Sequence, residues 1–186
     1  MKAFRNIHNS LLAAGLALLA GTGSTVAQSD RLDELLERLQ LPDLGTWQLV
    51  EDEIYQYWSL SGSASADFLL MRGREALEQG DLAAALDHLT ALTDHAPDFA
   101  EGWNARATAY FRAGRYGVAI SDVQRVLALN PRHFGALTGL GLMLEEMGEF
   151  DAALEAYETA QSIHPHRPDI SQAVDRLNRM LEGETL

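Results

Sequence analysis

The sequence contains no cysteine, and its only lysine is Lys2. Without cysteine the chain can form no disulfide, no thiolate nucleophile and no cysteine metal site, and it cannot carry a lipid on an N-terminal cysteine. Without a lysine after Lys2, the body of the chain lacks the lysine of phosphate-binding loops, of Schiff bases and of Ser-x-x-Lys hydrolases. These two absences exclude several large classes of enzyme.

Positive charge is also scarce. The 186 residues carry 14 Lys and Arg against 27 Asp and Glu, which gives a formal net charge of −13 and a pI near 4.7. An acidic surface repels the phosphates of nucleic acids and of anionic lipids. We therefore predict that nucleic acid is not a partner of this chain.

The first 27 residues have the pattern of a secretory signal peptide. Lys2 and Arg5 precede an apolar run at residues 11–20, and the small residues Thr25 and Ala27 flank Val26 before a cleavage site. The run is shorter than the ~20 residues that span a bilayer. We predict a periplasmic protein, cleaved after Ala27 and not stably inserted in the membrane, with an uncleaved anchor as the alternative.

Four sets of residues recur at a spacing of 34 along the body of the chain. A fixed period of this size is typical of stacked supersecondary units. In the first unit Gly80 and Pro97 predict two helices, at about residues 67–79 and 82–94, because glycine ends the first helix and proline blocks continuation of the second. The recurring sets are Pro97, Pro131 and Pro165; Gly80, Gly114 and Gly148; Ala85, Ala119 and Ala153; and Gly73, Ala107 and Gly141.

This pattern resembles the tetratricopeptide-repeat (TPR) family. The resemblance implies an all-α, TPR-type α-solenoid with three helix-turn-helix repeats at residues 66–99, 100–133 and 134–167. It also implies a protein-interaction function without catalysis. Arg72 and Arg106 depart from the family pattern, because both stand where the family has leucine. The matching residues include Gly73, Ala85 and Pro97; Trp103, Tyr110, Ala119 and Pro131; and Leu140, Gly141, Ala153, Tyr157 and Pro165.

Both ends of a solenoid need a cap, because each repeat buries only part of its apolar surface. An apolar stripe from Ile170 to Leu181 predicts a C-terminal capping helix within residues 168–186. Residues 28–65 predict an N-terminal helical hairpin and a small-residue linker. We expect the hairpin to pack on the first repeat, and a partner-binding surface is the alternative. Its aromatic residues are Trp47, Tyr55, Tyr57 and Trp58.

The resemblance also implies that the first helix of each repeat lines a concave groove. Its apolar side chains suit a helix or an extended peptide, and Arg74 and Arg112 suit an acidic group on that partner. Asn104 matches a place that some family members use, with lysine, to bind a C-terminal carboxylate, but no lysine is present here. The implied groove residues are Asp67, Leu70, Arg74, Leu77, Glu101, Asn104, Thr108, Phe111, Arg112, Gly135, Thr138, Leu142 and Glu145.

The sequence carries no hydrolase, zinc-protease or nucleotide-loop motif. His133, His164 and His166 form its only metal-like cluster, and we interpret them as polar residues of the turns between repeats rather than as zinc ligands. We therefore predict no cofactor, no metal and no enzymatic activity. The leading hypothesis is an interaction scaffold of the bacterial envelope. The alternatives are a protein that forms homo-oligomers through its aromatic hairpin and, less favoured, a metal-dependent enzyme.

Overall fold

A computed structural model describes residues 22–184 of the chain. Over that range the chain forms nine α-helices and no strand, which confirms the predicted all-helical class. The predicted signal peptide up to residue 21 lies outside the described residues. The helices are α1 (Thr22–Leu39), α2 (Trp47–Trp58), α3 (Ala64–Glu78), α4 (Leu82–His95), α5 (Ala100–Arg112), α6 (Tyr116–Leu129), α7 (Phe134–Glu146), α8 (Phe150–Ile163) and α9 (Pro168–Glu184).

Helices α3 to α8 form three stacked pairs, as the repeat predicts. Each pair packs internally, and the second helix of each pair packs on the first helix of the next unit. Helix α3 also contacts α5, and α5 contacts α7, whereas α4, α6 and α8 make no comparable contact with one another. The first helices therefore lie closer together than the second ones. The stack is curved, with α3, α5 and α7 on its inner surface.

The turn between the two helices of a repeat is built around a glycine. Gly80 has φ of +75°, and the amide of Asp81 then donates a 2.9 Å hydrogen bond to the carbonyl of Ala76. Glycine takes this left-handed conformation without a steric penalty. Asp81 then begins α4, because its carboxylate accepts the amide of Ala84 at 3.0 Å. The predicted turn is confirmed here and at its counterparts Gly114 and Gly148.

The two helices of a repeat approach closely at the small residues of the Gly73 set. A Cβ added to Gly73 would lie 2.5 Å from Leu89, and one added to Gly141 would lie 2.8 Å from the ring of Tyr157. Leu89 and Tyr157 are sixteen residues after the glycines they cover. The large side chain of the second helix therefore rests directly on the backbone of the first.

This packing makes Gly141→Ala destabilising although alanine favours helices. The methyl group must displace the buried Tyr157 ring, and overpacking of this kind costs about 1–3 kcal/mol. Gly139→Ala, two residues earlier on α7, meets nothing within 4 Å and should gain about 0.5–1 kcal/mol from helix propensity. Thermal melts of the two variants should therefore shift in opposite directions. Equal shifts would show that Tyr157 does not cover Gly141.

Arg106 stands where the family has leucine, and the structure explains the departure. Its guanidinium donates to both carboxylate oxygens of Asp122, at 2.7 and 2.8 Å, and to the hydroxyl of Thr93 at 2.7 Å. The group also lies over the ring of Trp103, 4.7 Å from its centroid. A paired cation thus replaces the apolar contact between α5 and α6. Trp103 is only partly buried.

The N-terminal hairpin does not pack where the sequence predicted. Trp58 stacks on His133, with ring centroids 4.1 Å apart, and also contacts Phe134. Trp47 meets the edge of His164. The expected cap on the first repeat is therefore wrong, because the rings that complement the aromatic face of α2 lie in the turns before α7 and α9. The hairpin shares one buried core with the third repeat and α9.

Helix α9 caps the third repeat at the C-terminal end of the stack, as predicted. Ile170 and Leu177 are fully buried against α8, and Ala173 and Val174 are nearly so. Arg176 leaves this apolar stripe and pairs with Glu145 of α7. None of the described helices is long and apolar enough to cross a bilayer.

Candidate functional site on the inner surface

The accessible part of the inner surface lies on the C-terminal halves of α5 and α7. Leu142 is 42% exposed, and the half-buried ring of Phe111 packs beside Tyr116, with centroids 5.7 Å apart. Arg112 is exposed and donates one hydrogen bond, 2.9 Å long, to the carbonyl of Leu77. Its remaining N–H groups are free for a ligand. These three side chains combine two apolar contacts with one cation.

Two predicted apolar anchors lack the exposure that a binding role requires. Leu70 and Leu77 are buried, and they pack with Ala105 and Ala109 of α5. The alanines let α5 approach α3 closely, so the leucines fill the space between these helices instead of facing a ligand. The expectation that they line an open groove is therefore corrected.

A buried polar network holds three other predicted residues at the N-terminal edge of the inner surface. Glu101 is almost completely buried and forms an ion pair with Arg74. Its second oxygen lies 2.9 Å from Nε2 of His133, and the amide of Asn104 donates to both oxygens at 3.3 Å. Arg74 also donates to the hydroxyl of Ser59. Arg74 and Asn104 thus bind an internal carboxylate rather than a free one.

The hydrogen bonds assign the tautomer of His133. Its Nδ1 accepts the amide of Ala136 at 3.1 Å, so the ring proton resides on Nε2 and is donated to Glu101. Burial by itself raises the pKa of the Glu101 carboxyl. The hydrogen bond from His133, the charge of Arg74 and the hydrogen bond from Asn104 outweigh burial, and the net pKa lies below its ordinary value.

The other predicted polar residues are satisfied within the chain. Asp67 accepts two hydrogen bonds from Ser61, and Thr108 and Thr138 donate to carbonyls of their own helices. Glu145 pairs with Arg176 and accepts the hydroxyl of Tyr157. The hydrogen bond from Arg176 lowers the pKa of Glu145 more than burial raises it. These groups shape the inner surface without presenting free charge.

Among the hollows of the inner surface, a smaller and a larger one involve predicted site residues. The smaller, of about 50 Å³, lies between α5 and α7 and is lined by Asn104, Thr108, Phe111, Gly139 and Met143 among others. It fits one small apolar side chain. The larger, of about 470 Å³, lies between α2 and the first two repeats. Its lining residues are Asp52, Tyr55, Gln56, Ser59, Arg74 and Glu101.

Helix α2 is therefore a wall of the candidate site, which the sequence did not reveal. Asp52 and Gln56 are exposed and face this larger hollow. The hairpin lacks the residues that recur every 34 positions, so a comparison of the repeats does not predict its position. The hydroxyl of Tyr55 reaches α7, where it would lie 2.7 Å from a Cβ on Gly135. Burial raises the pKa of Tyr55.

The three histidines do not converge on one point, although the rings of His164 and His166 lie edge to face with centroids 6.3 Å apart. His133 uses both ring nitrogens within the polar network, and His164 is completely buried next to Trp47 and Phe134. Nε2 of His164 lies 3.5 Å from Glu51, and neither of its nitrogens has a hydrogen-bond partner in the protein. In the described part of the chain, no three His, Asp or Glu side chains are arranged to hold a metal ion.

Comparison with known proteins decides the family. The model of the tetratricopeptide repeat matches residues 70–126 and 104–168. The chain belongs to the tetratricopeptide repeat family. It is 36% identical over 156 residues to a TPR repeat-containing protein of Rhizobium etli, and the match covers 82% of this chain and 76% of that protein.

Two further similarities extend the comparison. The chain is 29% identical over 120 residues to the protein SGT1 homolog of Bos taurus, and the match spans 64% of this chain and 36% of that protein. Its fold is similar to the first TPR of Spaghetti (RPAP3), which was solved with the HSP90 peptide SRMEEVD. That likeness has a TM-score of 0.62 at 26% identity and covers 64% of this chain and 95% of the other. A TPR array is a protein-interaction module.

Proposed function

We propose that this TPR protein is an interaction scaffold of the bacterial envelope that holds a peptide or helix of a partner protein on its inner surface. The observation that carries the proposal is the accessibility of Phe111, Arg112 and Leu142 on α5 and α7, together with the 50 Å³ hollow between these helices that Phe111 lines. One apolar side chain of the partner fills the hollow. Its neighbours pack on the exposed Leu142.

The chemistry of the surface favours apolar contacts over recognition of a terminal carboxylate. The amide of Asn104 and the guanidinium of Arg74 are bound to Glu101, and the described chain has no lysine. Arg112 remains as a donor for one acidic group or backbone carbonyl of the partner. The structural relative that was solved with an HSP90 peptide supports a peptide as the kind of ligand, and the ligand proposed here differs in chemistry from that peptide.

The envelope location rests on the N-terminal sequence. Lys2 and Arg5, the apolar run at residues 11–20 and the small residues before Gln28 support export and cleavage. By contrast, we do not propose that the protein forms homo-oligomers through its aromatic hairpin. The aromatic residues of α2 that this would require are packed on the third repeat of the same chain.

A triple substitution tests the binding surface. We expect Phe111→Ala, Arg112→Ala and Leu142→Ala together to reduce capture of the partner at least tenfold, a loss of about 1.4 kcal/mol, while the helical content stays unchanged. The measurement is photo-crosslinking in the periplasm from an unnatural amino acid at Thr138, followed by mass spectrometry. The TPR protein itself, when it is recovered from the periplasm, should begin at Gln28.

A matched control carries substitutions on the outer surface. Val118→Ala with Arg125→Ala alters one apolar and one basic residue of α6, away from both hollows. This variant should capture the partner as the unmodified protein does. If the triple variant retains the same crosslinked protein in the same yield, the inner surface is not the binding site.

A further inference from the structure

Two positions of the repeat reveal an open end of the solenoid. They lie on the side of each first helix that faces the preceding unit. Their occupants are buried or partly buried in every unit except the first. At the first position stand Phe68, Gly102, Ala136 and Ile170, and at the second stand Met71, Ala105, Gly139 and Ala173.

The later units show what normally covers these positions. Leu92 of α4 lies so near Gly102 of α5 that an added Cβ would come within 3.0 Å of it. Ala136 and Ile170 are likewise buried where α7 and α9 pack on the second helix of the preceding pair. Each first helix thus receives a neighbouring helix on this side.

Helix α3 has no such neighbour in the described chain. The N-terminal hairpin, which stands before it in sequence, packs on the third repeat instead. Phe68 is consequently 56% exposed and Met71 is 54% exposed. Two large apolar side chains, three residues apart on one helix face, are left in water.

We propose that this face of α3, defined by Phe68 and Met71, is a homodimer interface in which α3 of a second copy takes the place of the missing neighbour. Large residues occupy the two positions where later repeats have mainly small ones. Large side chains fit a neighbouring helix that lies farther away than a helix of the same stack. In the dimer, Phe68 and Met71 of one copy pack between the same residues of the other.

The other end of the solenoid selects a two-fold arrangement. Exposed charged residues, Asp175 and Arg179, stand on the outward side of α9, and Met180 is the one large apolar residue exposed among the described side chains of that helix. The open end of one copy therefore finds no matching pair of large apolar side chains on α9 of another, and head-to-tail stacking is disfavoured. The open end meets its own counterpart, which closes the assembly as a dimer.

Local charge opposes the approach of two copies only weakly. Arg72 and Glu75 form an ion pair, 2.5 Å long, beside the apolar residues. With Glu78, which is exposed on the same side of α3, the face carries a charge of −1, whereas the whole chain carries −13. Two copies bring both signs of charge to the rim of the contact, and long-range repulsion is weakest where the apolar residues meet.

Sedimentation equilibrium of the purified exported protein tests the interface. We expect a monomer–dimer equilibrium whose dissociation constant rises about a hundredfold in Phe68→Ser with Met71→Ser, as for the loss of central apolar contacts. The control, Leu41→Ser with Leu49→Ser, removes two other exposed leucines and should leave the equilibrium unchanged. A protein that stays monomeric overturns the proposal, and so does a dimer that persists in the first variant.

The absence of cysteine allows a direct check of geometry. A nitroxide on the single cysteine of Ser65→Cys reports one distance across a two-fold axis at α3, seen as one narrow peak in pulsed electron spin resonance. The same label on Glu158→Cys, on the outer side of α8, should give a longer distance. Equal distances, or a broad distribution at α3, would contradict the interface. Capture of the partner should be unchanged in the Phe68 and Met71 variant, because Phe111, Arg112 and Leu142 remain intact.

Discussion

Phe134→Ala is expected to lower the free energy of unfolding by about 3–5 kcal/mol, the cost of removing a fully buried phenylalanine. The ring is completely buried and touches the hairpin through Tyr55 and Trp58, with centroids 5.4 and 5.0 Å away. On its other side it meets His164 edge-on at 4.8 Å. Alanine leaves a cavity at the point where the hairpin, α7 and the turn before α9 meet.

Two measurements distinguish the loss of hairpin docking from a general loss of stability. The melting temperature should fall by about 10 °C, given about 2–4 °C per kcal/mol for a domain of this size. Tryptophan fluorescence should also shift toward that of water-exposed indole, because Trp58 loses its contact. Leu49→Ala, on the exposed side of α2, is the control and should change neither signal. An unaltered fluorescence spectrum in Phe134→Ala would mean that the hairpin docks elsewhere.

Glu101→Gln is expected to destabilise the protein by about 2–3 kcal/mol at neutral pH, because it removes the charge that Arg74 and His133 bind. The folded pKa of Glu101 lies below its ordinary value of 4.5. Its contribution to stability is therefore complete above that value and is lost as the pH falls through the folded pKa. The difference between the two proteins should shrink accordingly in acid.

Urea unfolding at a series of pH values measures this dependence. The free energy of unfolding of the unmodified protein should fall more steeply below the ordinary pKa of Glu101 than that of the variant. Glu146→Gln removes the same charge from an exposed position on α7 and serves as the control. Parallel pH curves for Glu101→Gln and the unmodified protein would show that the buried carboxylate is not held by this network.

The repeats could be predicted from the sequence because the same steric demand recurs every 34 residues. Gly80 and its counterparts are fixed by a positive φ, and Gly73 and Gly141 by the side chains that rest on them. Such requirements leave residue types that can be aligned within one chain. The fold class and the position of the turns follow from them, and the C-terminal cap follows from the apolar stripe between Ile170 and Leu181.

The hairpin and the true accessibility of the inner surface could not be predicted in this way. Docking of Trp58 depends on the rings of His133 and Phe134. Both residues are distant from Trp58 in sequence, and neither belongs to a set that recurs in every repeat. The family geometry predicted that Leu70 and Leu77 line the groove. Because Ala105 and Ala109 are small, α5 packs close enough to α3 to bury both leucines. Helix-to-helix distance decides burial here, and one sequence does not encode that distance locally.

The contacts of the hairpin also set an order of assembly. Asp33 pairs with Arg132, 99 residues later, and Glu51 pairs with Arg167, 116 residues later. The repeats make mainly contacts between neighbours and can form as the chain emerges, whereas the hairpin cannot dock until the turn before α9 has been synthesised. Until then its tryptophans lack the rings on which they pack. A nascent or truncated chain therefore exposes an aromatic helix that a chaperone can bind.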